Sequence, residues 1–218
     1  MKHIWKGGLL LAIAVACWQV TTGASGSGMA VPSSPAPMRT LSPEEMAREA
    51  YNSGISHKDK GLKAEAKDPR KARGEYEKAL KDFRRATEMM PELFQAYNGM
   101  GFAYRKTGDY TKALEMYDKA IQMAPGFPDA IEYRGEAYLG LNRIDDAKKA
   151  YMDLFASDRK QADLLMKAMG DWVAKRKVDP AGVDPATIAA LEDWLKERSA
   201  LAGQTVSMAL TPTHAAWE

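Results

Sequence analysis

Residues 94–127 read FQAYNGMGFAYRKTGDYTKALEMYDKAIQMAPGF, and residues 128–161 read PDAIEYRGEAYLGLNRIDDAKKAYMDLFASDRKQ. The two segments align without a gap: Gly101 falls on Gly135, Tyr104 on Tyr138, Ala113 on Ala147 and Tyr117 on Tyr151, each pair 34 residues apart. A third copy lies upstream, where Ala79, Phe83, Ala86 and Pro91 recur as Ala113, Tyr117, Ala120 and Pro125. A period of this length marks stacked units that cannot bury an apolar face alone and bury it against one another. Within a unit, Tyr97, Met100, Gly101 and Tyr104 fall at i, i+3, i+4 and i+7, one face of a first helix on which the glycine lets a partner approach closely. Ala113, Tyr117 and Ala120 form the facing stripe of a second helix. Pro91 and Pro125 end the second helices, because proline cannot continue them and biases the preceding residue away from helix. Asp109, after Lys106-Thr107-Gly108, is the expected cap of the next helix.

A helix-turn-helix unit of this length, with small and aromatic residues at these places, resembles the tetratricopeptide repeat (TPR) over residues 46–161. The resemblance implies an all-α fold, a short TPR solenoid of three repeats at 42–91, 94–127 and 128–161, the first with elongated helices, followed by two C-terminal capping helices over 162–203. The third copy departs from the family at Leu154, where a small residue is usual, and at Arg159, where proline is usual, so its exit into the next helix is either continuous or differently angled. In the first copy Gly54 matches Gly101, but it lies 25 residues before Ala79 whereas Gly101 lies 12 before Ala113. The surplus sits around residues 58–73 (KDKGLKAEAKDPRKAR), which favour helix on both sides of Asp68-Pro69, a cap followed by proline at the first helical position. Both helices of the first repeat are therefore expected to run about two turns longer than the others, as a charged hairpin. Seven basic residues in that stretch face Asp59, Glu65 and Asp68. This is either a solvated extension or a basic contact for an acidic protein or anionic envelope lipid.

Beyond the repeats, Ala162, Leu165, Met166, Met169, Trp172 and Val173 form the stripe expected of a helix that covers an open solenoid end. A second helix is expected from Asp184-Pro185, with Ile188, Leu191, Trp194 and Leu195 on one face, ending around Gly203. Trp172 and Trp194 read as core residues. Residues 204–218 carry no pattern and are expected to be a disordered tail.

The N-terminus reads as an address. Lys2, His3 and Lys6 precede an apolar run, Gly7 to Ala16, that is too short for a membrane span, so residues 1–24 read as a signal peptide. Thr22-Gly23-Ala24 suits cleavage for soluble export. Ala14-Val15-Ala16-Cys17 resembles a bacterial lipobox in which Cys17 would be acylated, although Ala14 stands where Leu is usual and Trp18 is an unusual neighbour. Residues 25–41, rich in Gly, Ser and Pro, read as a flexible leader. The expected location is the periplasm or cell envelope of a bacterium. Cys17 is the only cysteine among 218 residues, so intramolecular disulfides and zinc-thiolate clusters are excluded.

Charge excludes another class. Of 31 Lys and Arg residues, Lys2 and Lys6 fall in the first 24, which hold no acid, and the rest are matched by 29 Asp and Glu. A nucleic-acid binder would be strongly basic. After the address the only histidines are His57 and His214, which supports neither a histidine metal site nor a Ser-His-Asp arrangement. Gly99 and Gly101 belong to a helix face and make no phosphate loop. Asp145 and Asp146 read as capping and dipole complement at a helix start. No enzyme, cofactor or metal is expected.

TPR resemblance also implies a concave face, lined by first helices, that holds a peptide or partner helix. The positions carried over are Arg48, Tyr51, Ile55 and Lys58 in the first repeat; Gln95, Asn98, Phe102, Arg105 and Lys106 in the second; and Asp129, Glu132, Glu136 and Leu139 in the third. Phe102 lies off the buried stripe and is the expected aromatic anchor. TPR co-chaperones that clamp a terminal carboxylate use Lys and Asn, then Asn, then Lys and Arg; the positions expected to correspond are Tyr51 and Ile55, Gly99, and Asp129 and Tyr133, which would repel a carboxylate. The expected function is a non-catalytic adaptor or scaffold of the bacterial envelope that binds a segment of another envelope protein. The alternative is a lipid-anchored structural or assembly component, attached through Cys17. No nucleic acid is expected, and the membrane would be met only through that anchor or weakly through the 58–73 hairpin.

Overall fold

The structure, a computed structural model, describes the backbone of residues 40–210 and the side chains through Ala202. Among these residues every regular element is a helix: α1 (Pro43–Ala64), α2 (Pro69–Met89), α3 (Phe94–Thr107), α4 (Tyr110–Met123), α5 (Pro128–Gly140), α6 (Ile144–Ser157), α7 (Arg159–Val178) and α8 (Pro185–Leu210). Consecutive helices pack as pairs, α1 with α2, α3 with α4, α5 with α6 and α7 with α8, and each pair stacks on the next. This is the expected short helical solenoid. No described helix is long and apolar enough to cross a membrane. The signal peptide, Cys17 and nearly all of the leader lie outside the described residues.

Local chemistry sets the boundaries. Ser42 opens α1 with a capping box: its Oγ accepts from the Glu45 N–H at 3.2 Å and its own N–H donates to Glu45 Oε2 at 2.9 Å. The Asp68 carboxylate accepts from the Lys71 N–H at 2.9 Å, with Pro69 at the first helical position. Gly108, at φ 91, closes α3, and Asp109 caps α4 by accepting from the Lys112 N–H at 3.1 Å. α1 and α2 have 22 and 21 residues against 14 in each of α3 and α4, a surplus of about two turns each. The extension is tied back to the next repeat, because Ala72 and Tyr76 pack with Phe102 and Ala103 and Lys106 Nζ meets Glu65 at 2.8 Å.

The glycines of the first helices are points of contact. Phe83 lies between Gly54 and Gly99, where a Cβ on either would stand 2.6 Å from its ring, and Tyr117 lies against Gly101 at 2.5 Å. Both rings are fully buried. In the third repeat the buried Leu154 fills the space that a small residue leaves in the other units. A single residue separates α6 from α7: the Asp158 N–H donates to the Leu154 carbonyl at 2.7 Å while its carboxylate accepts from the Gln161 N–H at 3.1 Å, so the helix breaks without proline.

Two boundaries differ from expectation. Arg143, rather than either aspartate, is the N-cap of α6; Asp145 and Asp146 occupy its first turn, where they complement the dipole, and Asp146 pairs with Arg143 at 2.8 Å. α8 continues past Gly203 to Leu210, because one glycine weakens a helix without ending it and no proline intervenes before Pro212. Trp172 and Trp194 are core residues as expected: Trp172 Nε1 donates to the Leu139 carbonyl at 2.9 Å, and Trp194 meets Tyr151 edge-on at 5.3 Å.

Candidate functional site

The first helices of successive units share one face, and two clefts open on it. The smaller, about 100 Å³, is bounded by Tyr51, Ile55 and Lys58 of α1, by Gln95, Asn98, Gly99 and Phe102 of α3, and by Phe127, Asp129 and Tyr133. The larger, about 450 Å³, lies between Arg105, Lys106 and Tyr110 on one side, Glu136, Leu139 and Gly140 in the middle, and Asp171, Trp172, Lys175 and Arg176 of α7 on the other. Phe102, Tyr133, Arg105 and Glu136 stand between them.

That divider is built like a core. Phe102 is 5% exposed, edge-on to Tyr76 at 5.9 Å and to Tyr133 at 5.4 Å. The Arg105 guanidinium stacks at 5.3 Å from the Phe102 ring and 5.2 Å from the Tyr133 ring, donates to the Tyr117 hydroxyl at 3.4 Å and pairs with Glu136. Only 9% of the Arg105 side chain is exposed. Two expectations are therefore corrected. Phe102 forms the floor of the smaller cleft and offers no free aromatic anchor, because the lengthened first repeat brings Tyr76 over it. Arg105, expected as an open groove position, is a buried cation held by aromatic faces and a carboxylate.

Glu132 is also displaced from its expected role. It is 3% exposed and lines neither cleft. Burial, then the neighbouring Glu136 carboxylate and a hydrogen bond with it, push the Glu132 carboxyl well above the ordinary range despite the nearby Arg105. The Glu132 carboxyl therefore tends to keep its proton, directed at Glu136 beside one guanidinium. Burial, followed by the charges of Glu132 and Asp129, likewise pushes the Tyr133 hydroxyl up to about 12.

The remaining positions divide between the two clefts. Tyr51, Ile55, Lys58, Gln95, Asn98 and Asp129 do come together around the smaller one. Asp129 accepts from Gln161 Nε2 at 2.5 Å, and Lys58 Nζ sits 5.5 Å from the Phe102 ring centre. The Asn98 amide oxygen is buried without a hydrogen-bond partner. Lys106 and Glu136 join the larger cleft, and Arg48 is exposed and lines neither. Because Gly54 packs on Phe83 as Gly101 packs on Tyr117, the counterparts of Gln95 and Gly99 in the first repeat are Arg48 and Asn52 rather than Tyr51 and Ile55. The contrast with the carboxylate clamp consequently rests on Gly99, Asp129 and Tyr133.

The wall supplied by α7 was not read from sequence, where that helix was only a cover. Leu165 of α7 packs on Gly135 of α5, where a Cβ would lie 2.5 Å from it, and this contact seats α7 against the first helix of the third unit. No described group of three or more His, Cys, Asp or Glu residues is placed to hold a metal ion, and His57 lines neither cleft.

A tetratricopeptide repeat model matches residues 94–127, and a TPR repeat model matches residues 70–108, across the junction of the first and second helix pairs. Residues 70–127 are therefore tetratricopeptide repeats, set in a helical solenoid. No curated protein matches it in sequence. Solved structures similar to this TPR chain include the second TPR domain of human RPAP3 in complex with an HSP70 peptide, 24% identical, covering 55% of this chain and 97% of that one with a TM-score of 0.42. The TPR domain of Sgt2 from Aspergillus fumigatus is 22% identical, covering 61% and 84% with a TM-score of 0.44. MamA is 26% identical, covering 56% and 63% with a TM-score of 0.38. TPR units are protein-interaction modules, and the chemistry of these clefts suits holding a polypeptide.

Proposed function

We propose that this TPR protein is a non-catalytic adaptor of the bacterial cell envelope, which holds a segment of a partner protein across the two clefts. The observation that carries the reading is the smaller cleft, which gathers Tyr51, Ile55, Asn98 and Phe127 from successive helix pairs around one opening. An extended peptide supplies apolar and polar side chains for such a pocket. Lys58 and Asp129 at its rim, and Asp171, Lys175 and Arg176 along the larger cleft, favour a segment carrying both signs of charge. The envelope location is supported by the Lys2 to Ala16 pattern.

The test is crosslinking capture from intact envelopes with the tagged chain beside Asn98→Ala/Lys58→Glu and Lys175→Glu variants, none of which removes a core side chain. A partner captured by the unaltered chain and lost from either variant, with melting temperature unchanged, supports the reading. Equal capture by all three removes this face from consideration. Acylation of Cys17, the second reading, is favoured by Ala14-Val15-Ala16-Cys17; fatty-acid labelling that disappears in Cys17→Ser would establish it, and an unlabelled chain would exclude it.

A further inference from the structure

The lengthened first repeat carries a surface that the clefts do not use. Lys60, Lys63, Lys67 and Lys71 converge on an open cleft of about 390 Å³ at the end of the α1/α2 hairpin, over Ala64. All four are exposed, and none has an ion-pair partner among the described residues. Asp59 is exposed beside Lys60, and the other acids near the cluster are engaged. Asp68 caps α2 at 2.9 Å, Glu75 is held by Lys78 at 2.8 Å and His57 at 2.7 Å, and Glu65 is held by Lys106 at 2.8 Å. Through His57, Glu75 and Lys78 this cleft adjoins a second, of about 590 Å³, where Lys81, Arg84 and Arg85 are exposed and Asp82 accepts from the Ser53 hydroxyl at 2.6 Å. One side of the first helix pair thus carries an excess of cations, with Asp82 and Glu88 the acids of the second cleft, on a chain whose charges balance as a whole after residue 24.

We propose that this face docks the chain onto an anionic phospholipid surface, through lysine contacts to lipid phosphates. Three features favour lipid over an acidic protein. Cores of protein interfaces are poor in lysine and rely on buried aromatic or arginine anchors, whereas Ala64 is the largest apolar residue lining either cleft. At the tip cleft the cations are all lysines, compact hydrated charges that suit mobile phosphates better than the bidentate geometry of fixed carboxylates. A surface cluster of four to eight cations is also the usual signature of anionic lipid recognition. The extension carries the tip about 12 Å beyond the length of the neighbouring helices, at 1.5 Å per residue, so it can meet a flat surface ahead of the other repeats.

The experiment uses the chain from Ser25, which keeps every core residue and lacks the apolar run at Gly7 to Ala16 that would itself enter lipid. Cosedimentation is measured with phosphatidylcholine vesicles, with and without phosphatidylglycerol, at low and physiological salt. Binding should require phosphatidylglycerol and weaken with salt. Lys63→Glu/Lys67→Glu/Lys71→Glu should lower the affinity by roughly a hundred-fold, from about five-fold per lysine. A charge-matched control, Lys119→Glu/Lys149→Glu/Lys160→Glu, should bind within a few-fold of the unaltered chain. Equal binding by the tip variant, equal loss in the control, or binding to vesicles without phosphatidylglycerol would each overturn the proposal. So would binding of inorganic polyphosphate or polyglutamate in solution as tight as that of the anionic vesicles. Because these lysines are exposed, both variants should melt with the unaltered chain; a tip variant that unfolds would be replaced by Lys63→Gln/Lys67→Gln, read by the same criteria.

Discussion

Arg105→Ala is the substitution that best separates a buried organising cation from a free groove cation. In the structure Arg105 is 9% exposed on its side chain, stacks on two aromatic rings at 5.3 and 5.2 Å, and pairs with Glu136. Removing it leaves the half-buried Glu136 without its ion-pair partner and the two rings without the buried cation they hold. Breaking a buried pair in this way costs about 3–5 kcal/mol, and the two cation–π contacts, about 0.5–1 kcal/mol each, fall largely within that figure. Against a total stability of roughly 5–15 kcal/mol the loss is large. For a domain of this size, about 4 kcal/mol lowers the melting temperature by roughly 8–16 °C. Circular dichroism melts at neutral pH would read it, with Arg48→Ala as the exposed comparison expected to stay within about 0.5 kcal/mol. Arg105→Met with Glu136→Leu should recover more than half of the loss, because an apolar pair removes the stranded charge along with the cation. A loss below about 1 kcal/mol for Arg105→Ala would place the side chain in solvent and refute the account of the divider, since exposed pairs contribute about that much at most.

The raised Glu132 carboxyl gives a pH dependence of definite sign. Between the ordinary carboxylate range and its raised folded value the native state holds the extra proton, so this group's contribution to stability declines as pH rises. Glu132→Gln should therefore raise the melting temperature more at about pH 8 than at about pH 5, and a parallel shift at both would contradict the raised Glu132 carboxyl. Gly101→Ala drives a Cβ to 2.5 Å from the Tyr117 ring, and urea unfolding should show a loss of about 1–3 kcal/mol. Gly74→Ala, where a Cβ meets nothing within 4 Å, should instead be neutral or stabilising. Asp158→Ala removes the only side-chain cap of α7 and should cost about 1 kcal/mol in the same assay.

Much of the fold was legible in the chain because its signals are local. Gly101 over Gly135 and Tyr117 over Tyr151 report contacts that recur at a fixed sequence distance. Asp68-Pro69 and Ser42 with Glu45 announce helix starts through bonds made within three residues. Lys58 to Arg73 read as a helical hairpin because charged residues of high helix propensity flank a single cap. These are interactions between near neighbours, or between copies of one unit, and sequence periodicity records them directly.

What the concave face exposes was decided by tertiary structure. Phe102, placed by helical spacing on the open side of α3, is covered by Tyr76, a residue of the lengthened repeat 26 positions earlier, and by Tyr133 of the next. Arg105 and Glu132 read as surface charges because most such residues are, and only the convergence of α3, α4 and α5 turns them into a buried network with Glu136 and Tyr117. The wall contributed by α7 depends on Leu165 seating against Gly135, a contact between elements whose spacing follows no repeat. Periodicity determines which side of a helix faces its own partner; how deeply the opposite side is buried depends on the length and angle of helices from other units.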